Sequence, residues 1–100
     1  MASRRGVAVT PEDIPVLPRG VRCGDDRVRG LRVLLGPERV LMLDQIGDAV
    51  LRRVNGTDTI RTISEDLART FCAPRAQVEA DVIEYLADLA EKRMVERANG

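Results

Sequence analysis

Along the chain, three short runs of alternating apolar and polar residues precede three longer runs with a helical period. Val21 to Asp26 alternates weakly and turns through Asp26-Arg27. Gly30-Leu31-Arg32-Val33-Leu34-Leu35 reads as a second strand, stopped by Gly36-Pro37, and Val40 to Leu43 as a third. Short connections make sequential strands neighbours, so an antiparallel meander is expected. In the third strand Leu41 and Leu43 share one face, with Val40 and Met42 on the other. Four large hydrophobes in succession ask for cover on both faces, and a small sheet that ends at this strand supplies only one.

Asp44 has the chemistry of a helix N-cap. The spacing of Ile46, Ala49, Val50 and Val54 predicts a first helix over Gln45 to Val54, stopped by Asn55-Gly56. A second helix is expected after Thr62, where Thr62-Ile63-Ser64-Glu65 has the capping-box form, with Ile63, Leu67 and Phe71 on its apolar face. Pro74 suits the opening of a third, longer helix striped by Val78, Val82, Ile83, Leu86 and Leu89, with Met94 and Val95 at its end. Residues 1–17, proline-bearing and without periodicity, are expected to form a flexible arm. The ordered domain is expected over 18–96, followed by a disordered tail at 97–100. Three strands followed by three helices predict an α+β domain, winged-helix-like, with the helices on one face of a three-stranded antiparallel sheet.

One hundred residues suit one domain with a modest core. Phe71 and Tyr85 are the only aromatic residues, so that core is aliphatic, and stacking platforms for single-stranded nucleic acid are lacking. Net charge is zero but unevenly spread. Residues 1–43 carry eight arginines against five carboxylates, and residues 44–100 carry eight cations against eleven. Two oppositely charged surfaces are one reading; a solvated exterior with chance asymmetry is the other. Cys23 and Cys72 belong to no CxxC pair, and no secretory signal pattern is visible. Reduced thiols in a cytoplasmic protein are therefore expected. No apolar run approaches the roughly 20 residues of a membrane span.

Chemistry is sparse. Histidine, the commonest general base, is absent, and no metal-ligand spacing or phosphate-cradling glycine loop occurs. No catalytic or metal site is expected; the sequence points to binding. One candidate is a winged-helix DNA-binding module. Its third helix would then face phosphates, yet that helix carries Glu79, Asp81, Glu84, Asp88 and Glu91 against Arg75. The other candidate uses the edge of the third strand, where an extended peptide could add a strand beside the third helix. Against it stands the plainer view that Leu41 and Leu43 are core and Met42 an isolated surface hydrophobe.

Several stretches resemble the pyrroloquinoline quinone biosynthesis protein D family. They are Pro18-Arg19-Gly20-Val21-Arg22, Asp26-Arg27-Val28-Arg29-Gly30, and Val33-Leu34-Leu35-Gly36-Pro37-Glu38-Arg39-Val40-Leu41-Met42-Leu43. Asn55-Gly56-Thr57, Ile60, Ile63, Val78, Asp81-Val82, Leu86 and Leu89 extend the likeness, which covers about residues 17–96. The resemblance implies a peptide chaperone with no cofactor of its own. Such a protein binds the ribosomal precursor peptide of pyrroloquinoline quinone (PQQ) and presents it to a radical S-adenosylmethionine enzyme. It also implies the role of leader-recognition element, the leader pairing with the third strand beside the third helix. On this basis Val40, Leu41, Met42 and Leu43 are expected to form the ladder, with Leu41 and Leu43 flooring the groove. Val78, Val82 and Tyr85 would wall it, and Arg39 and Arg75 would meet peptide carboxylates. Glu84 and Asp88, or the basic strand face, would dock the modifying enzyme. Two departures stand out. Val54-Asn55-Gly56 replaces the usual Cys-Asp-Gly, and Gly47 enters the first helix at a cost of up to ~1 kcal/mol relative to alanine. A DNA module would retard a duplex in a low-salt gel; the carboxylates of the third helix predict no retardation.

Overall fold

The computed structural model describes residues 9–98. Its elements run β1 (Pro15–Val16), β2 (Arg22–Asp26), β3 (Leu31–Leu35), β4 (Val40–Leu43), α1 (Gln45–Arg52), α2 (Ile60–Phe71), α3 (Arg75–Glu91) and β5 (Glu96–Arg97). Strands β2, β3 and β4 form an antiparallel sheet in that order, with the helices following, so the winged-helix-like α+β architecture stands as expected. No helix among the described residues is long and apolar enough to cross a membrane.

The sheet has one core face. Leu34 pairs with Leu41, and Leu43 lies opposite Arg32. Leu34 is fully buried and Leu43 nearly so, both within a cluster shared with Val50, Leu51, Ile63, Leu67, Val82 and Leu86. Arg32, also on this face, ties the sheet to α1: its Nε donates to Asp48 at 2.9 Å and its Nη1 to Asp25 at 3.0 Å. Arg52 donates to the other oxygen of Asp48 at 2.8 Å. Burial pushes the Asp48 carboxyl upward, but the bonds from Arg52 and Arg32 outweigh that and hold it below its ordinary value.

Helix boundaries differ from expectation in instructive ways. α1 ends at Arg52, short of Val54, and opens on Asp44, whose side chain accepts from the Gly47 N–H at 2.7 Å. α2 begins two residues before the expected cap. Thr59 is the N-cap and accepts from the Thr62 N–H at 3.2 Å, so Thr62 is inside the helix rather than at its start. The reason is burial: Ile60 is as buried as Ile63 and belongs to the same apolar stripe. The first-turn N–H groups of Ile60 and Arg61 are also satisfied, donating to the carbonyls of Asp13 and Pro11 at 2.9 Å each.

Those two bonds set Pro11 and Asp13, within the segment expected as an arm, against the first turn of α2. Asp13 is buried, accepts from the Thr10 N–H at 3.0 Å and lies 3.6 Å from Arg97. β1 pairs antiparallel with β5, and the Ala98 N–H donates to the Ile14 carbonyl at 2.7 Å, which sets residues 97 and 98 of the expected tail beside β1. The remainder of the expected arm and tail lies outside the described residues. α3 stops at Glu91, where Arg93 takes a left-handed conformation. The Met94 N–H then reaches back to Leu89 and the Arg93 N–H to Ala90, a Schellman closure made without glycine. Met94 and Val95 are buried after the turn as final core contacts.

Thr59→Ala is expected to lower unfolding free energy by about 1 kcal/mol and Thr62→Ala by distinctly less. Equal losses in urea titrations would contradict the assigned cap. The Asp48 contribution has a defined sign. Because its folded-state pKa is depressed, the stabilisation is present above the ordinary carboxylate range near pH ~4 and disappears as pH falls through the folded value. Asp48→Asn should therefore lower stability at neutral pH and flatten its fall into acid.

Candidate functional site

Two features meet where β4 runs into α1: an unpaired backbone edge and an apolar cleft. The edge is oriented by the hairpin. The Gly36 N–H donates to the Arg39 carbonyl at 2.9 Å, which sets the alternation of the ladder, and the β3–β4 register continues without a bulge. Residues 39, 41 and 43 therefore turn their backbone groups toward β3, while Val40 and Met42 turn theirs outward. Among the described residues, the N–H and C=O of Val40 and Met42 meet no partner. Their side chains, 60% and 65% exposed, stand on the face of the sheet away from the helices.

The cleft has a volume of about 1090 Å³ and lies between α1 and α3, closed at one end by the C-terminal turn of α2. Buried Val50, Leu67 and Val82 underlie it, and the half-exposed Ile46 and Phe71 stand at its sides. Val78 and Tyr85 complete the α3 wall. The rim is acidic, with Asp44, Asp81, Glu84, Asp88 and Glu91 all on it; Asp88 is engaged by Lys92 at 2.7 Å.

Tyr85 explains the glycine in α1. A Cβ on Gly47 would collide with the Tyr85 hydroxyl and lie 3.0 Å from its Cζ, so the helix accepts a poor helix former to let the ring approach. Burial, followed by the nearby Asp44 charge, raises the Tyr85 phenol above its ordinary value, and it serves as a neutral wall.

The structure sorts the expected residues. Val78, Val82 and Tyr85 share the cleft, and Asp44 carries the chain from the β4 edge directly onto its rim. Leu41 and Leu43 do not line it. They point into the core, so the floor belongs to Val50, Leu67 and Val82 instead. Arg75 is turned along its own helix to Glu79 at 3.1 Å, away from the cleft lining, whereas Arg39 is exposed at the hairpin. Glu84 and Asp88, expected to form a separate docking surface, are rim residues of the same cleft. Ile46, Val50 and Phe71 were not expected there. The period of α2 places Phe71 on its core face, but at the helix end that stripe drifts off the core and brings the ring to the cleft.

The sequence profile for coenzyme PQQ synthesis protein D (PqqD) matches residues 32–95. The bifunctional coenzyme PQQ synthesis protein C/D of Methylorubrum extorquens is 47% identical over 90 residues, which is 90% of this chain but 24% of that protein, so the chain spans about a quarter of its length. A PqqA binding protein of Xanthomonas oryzae pv. oryzae is 44% identical over 88% of this chain and 96% of its own. Among solved structures, the solution structure of the PqqD truncation of Methylobacterium extorquens PqqCD superposes with a TM-score of 0.80 at 46% identity, covering 91% of this chain and 97% of that one. It is described as a functional, stand-alone recognition element for ribosomally synthesized and post-translationally modified peptides. The crystal structure of PqqD from Xanthomonas campestris gives a TM-score of 0.55 at 40% identity, covering 87% and 97%. The chain belongs to the coenzyme PQQ synthesis protein D family.

Proposed function

We propose that this chain is a peptide chaperone of PQQ biosynthesis, a binding protein rather than an enzyme. It takes an extended segment of the ribosomal precursor peptide as a further strand on β4 and presents it to the radical S-adenosylmethionine enzyme that modifies it. The observation that carries this reading is the outward, unpartnered backbone of Val40 and Met42, next to an apolar cleft walled by α3. Strand addition draws its affinity from main-chain bonds and its selectivity from pockets for alternate side chains. Side chains of the guest strand that point to the helix side would lie toward Tyr85, Val78 and the cleft. The carboxylate rim disfavours acidic guest residues there. Arg39, exposed and without an ion pair among the described residues, stands ready for a peptide carboxylate at the hairpin end of the edge. Support comes also from relatives named PqqA binding protein and from the peptide-recognition element whose fold this chain shares. Duplex binding is disfavoured, because the helix that would enter the groove carries five carboxylates.

Proline discriminates the two sides of β4. At position 42 it removes an outward N–H and is tolerated at an edge, so Met42→Pro should fold yet bind precursor peptide at least about tenfold more weakly, ~1.4 kcal/mol. Leu41→Pro instead removes an N–H that faces Leu34 and should lower the stability of the domain itself. Calorimetric titration with the peptide checks both; wild-type affinity in folded Met42→Pro would displace the site from this edge. Gly47→Ala gives a second check. Helix propensity favours it by up to ~1 kcal/mol, while Tyr85 must swing out. Stability should change by less than about 1 kcal/mol, and peptide affinity should fall several-fold.

A further inference from the structure

The carboxylates of α3 differ in kind between the cleft side and the rest of the helix. Glu79, off the cleft, is met by Arg75 at 3.1 Å and by Arg61 at 4.0 Å. On the rim, Asp81, Glu84 and Glu91 make no ion pair or side-chain hydrogen bond among the described residues, and Asp88 meets Lys92. No lysine or arginine among the described residues lines the cleft. The arrangement works against the helix that carries it. Asp81, Glu84, Asp88 and Glu91 follow one another at spacings of three and four residues, where like charges repel along one helix face. Asp88 and Glu91 also stand at the C-terminal end, where the helix dipole favours cations, and the last turn itself holds no basic residue. The negative field reaches inward as well: burial raises the Tyr85 phenol, and the Asp44 and Asp88 charges raise it further.

Resting on the strand-addition reading above, we infer that the peptide segment laid over the cleft carries lysine or arginine beside its apolar residues, and that Asp81 and Glu84 select it. Apolar guest side chains fill the space over Val50, Leu67 and Val82. A neutral neighbour would leave the repulsion along the rim in place, and an acidic one would add to it. A cation relieves it. The stem of a lysine or arginine suits the same place, because its methylenes can lie on Val78 and Tyr85 while the charged head reaches the rim. A helix surface that breaks local rules without compensation inside the chain marks a functional site. Here the missing compensation is brought by the guest. The bare carboxylates then act twice, attracting the cationic segment and turning away anionic ones.

Asp81→Asn and Glu84→Gln, singly and together, test this by calorimetric titration of the full chain with the precursor peptide, no enzyme being present. Both positions are exposed, and removing like charge should leave the Tm of each variant unchanged or raised. Peptide affinity is expected to fall severalfold in each single variant and at least about tenfold in the double one. Added salt should weaken the wild type and affect the double variant distinctly less. Replacing the lysines and arginines of the peptide by glutamine should weaken binding to the wild type and leave the double variant within about twofold. Glu79→Gln, off the cleft, should bind as the wild type does. Affinity of the double variant within twofold of wild type, or tighter, overturns the proposal. So does an equal loss in Glu79→Gln, or undiminished binding of the glutamine-substituted peptide to the wild type. Met42→Pro reads the edge separately. If it binds as wild type while the double variant is weakened, strand addition fails and the charge selection of the cleft stands; if it alone is weakened, the edge stands and this proposal fails.

Discussion

One hydrogen bond, from the Gly36 N–H to the Arg39 carbonyl, sets the sense of everything on β4. It fixes the parity of the β3–β4 ladder, and parity decides which backbone groups are consumed internally and which remain available. A slip of one residue would bury Val40 and Met42, expose Leu41 and Leu43, and turn the outward donors inward. The same hairpin is held from behind by Met94, whose Sδ would lie 2.8 Å from a Cβ on Gly36. The end of α3 and the hairpin are therefore packed as one unit, and the edge is presented by a rigid element rather than by a loop.

Much of this was legible in the chain. The alternation within 30–35 and 40–43, with Gly36-Pro37 between, specified the hairpin and the edge. The apolar stripe of α3 identified one wall of the cleft. What escaped was non-local. The partners of Pro11 and Asp13 are the first-turn N–H groups of α2, almost fifty residues away in sequence, so a proline-bearing segment without periodicity looked unstructured. The start of α2 was missed for a related reason. Thr62-Ile63-Ser64-Glu65 satisfies a local capping pattern, but burial of Ile60 extends the helix back to Thr59. The ends of α2 and α3 use Cys72 and Arg93 in left-handed conformations, which composition does not announce. Gly47 was visible as a weakness in a helix; only the position of Tyr85 turns it into a requirement.

The charge pattern gains meaning from the fold. Among the described residues, the arginines before residue 43 sit mostly on turns and the outer sheet face, and four of the five carboxylates of α3 gather on the cleft side. Some charges are spent internally: Asp48 on Arg32 and Arg52, and Asp66 on Arg53 at 2.5 Å. On the cleft rim Asp88 is engaged in the same way, by Lys92.

The capping of α2 by the carbonyls of Pro11 and Asp13 has an architectural consequence. α2 is twelve residues long, about 18 Å at 1.5 Å per residue, with the capped end at Ile60 and the cleft end at Phe71. A polypeptide arriving at residue 9 is thus moored at the pole of this helix remote from the cleft. A module joined ahead of residue 9 would be tethered at that pole, and the mouth of the cleft would stay clear of the junction.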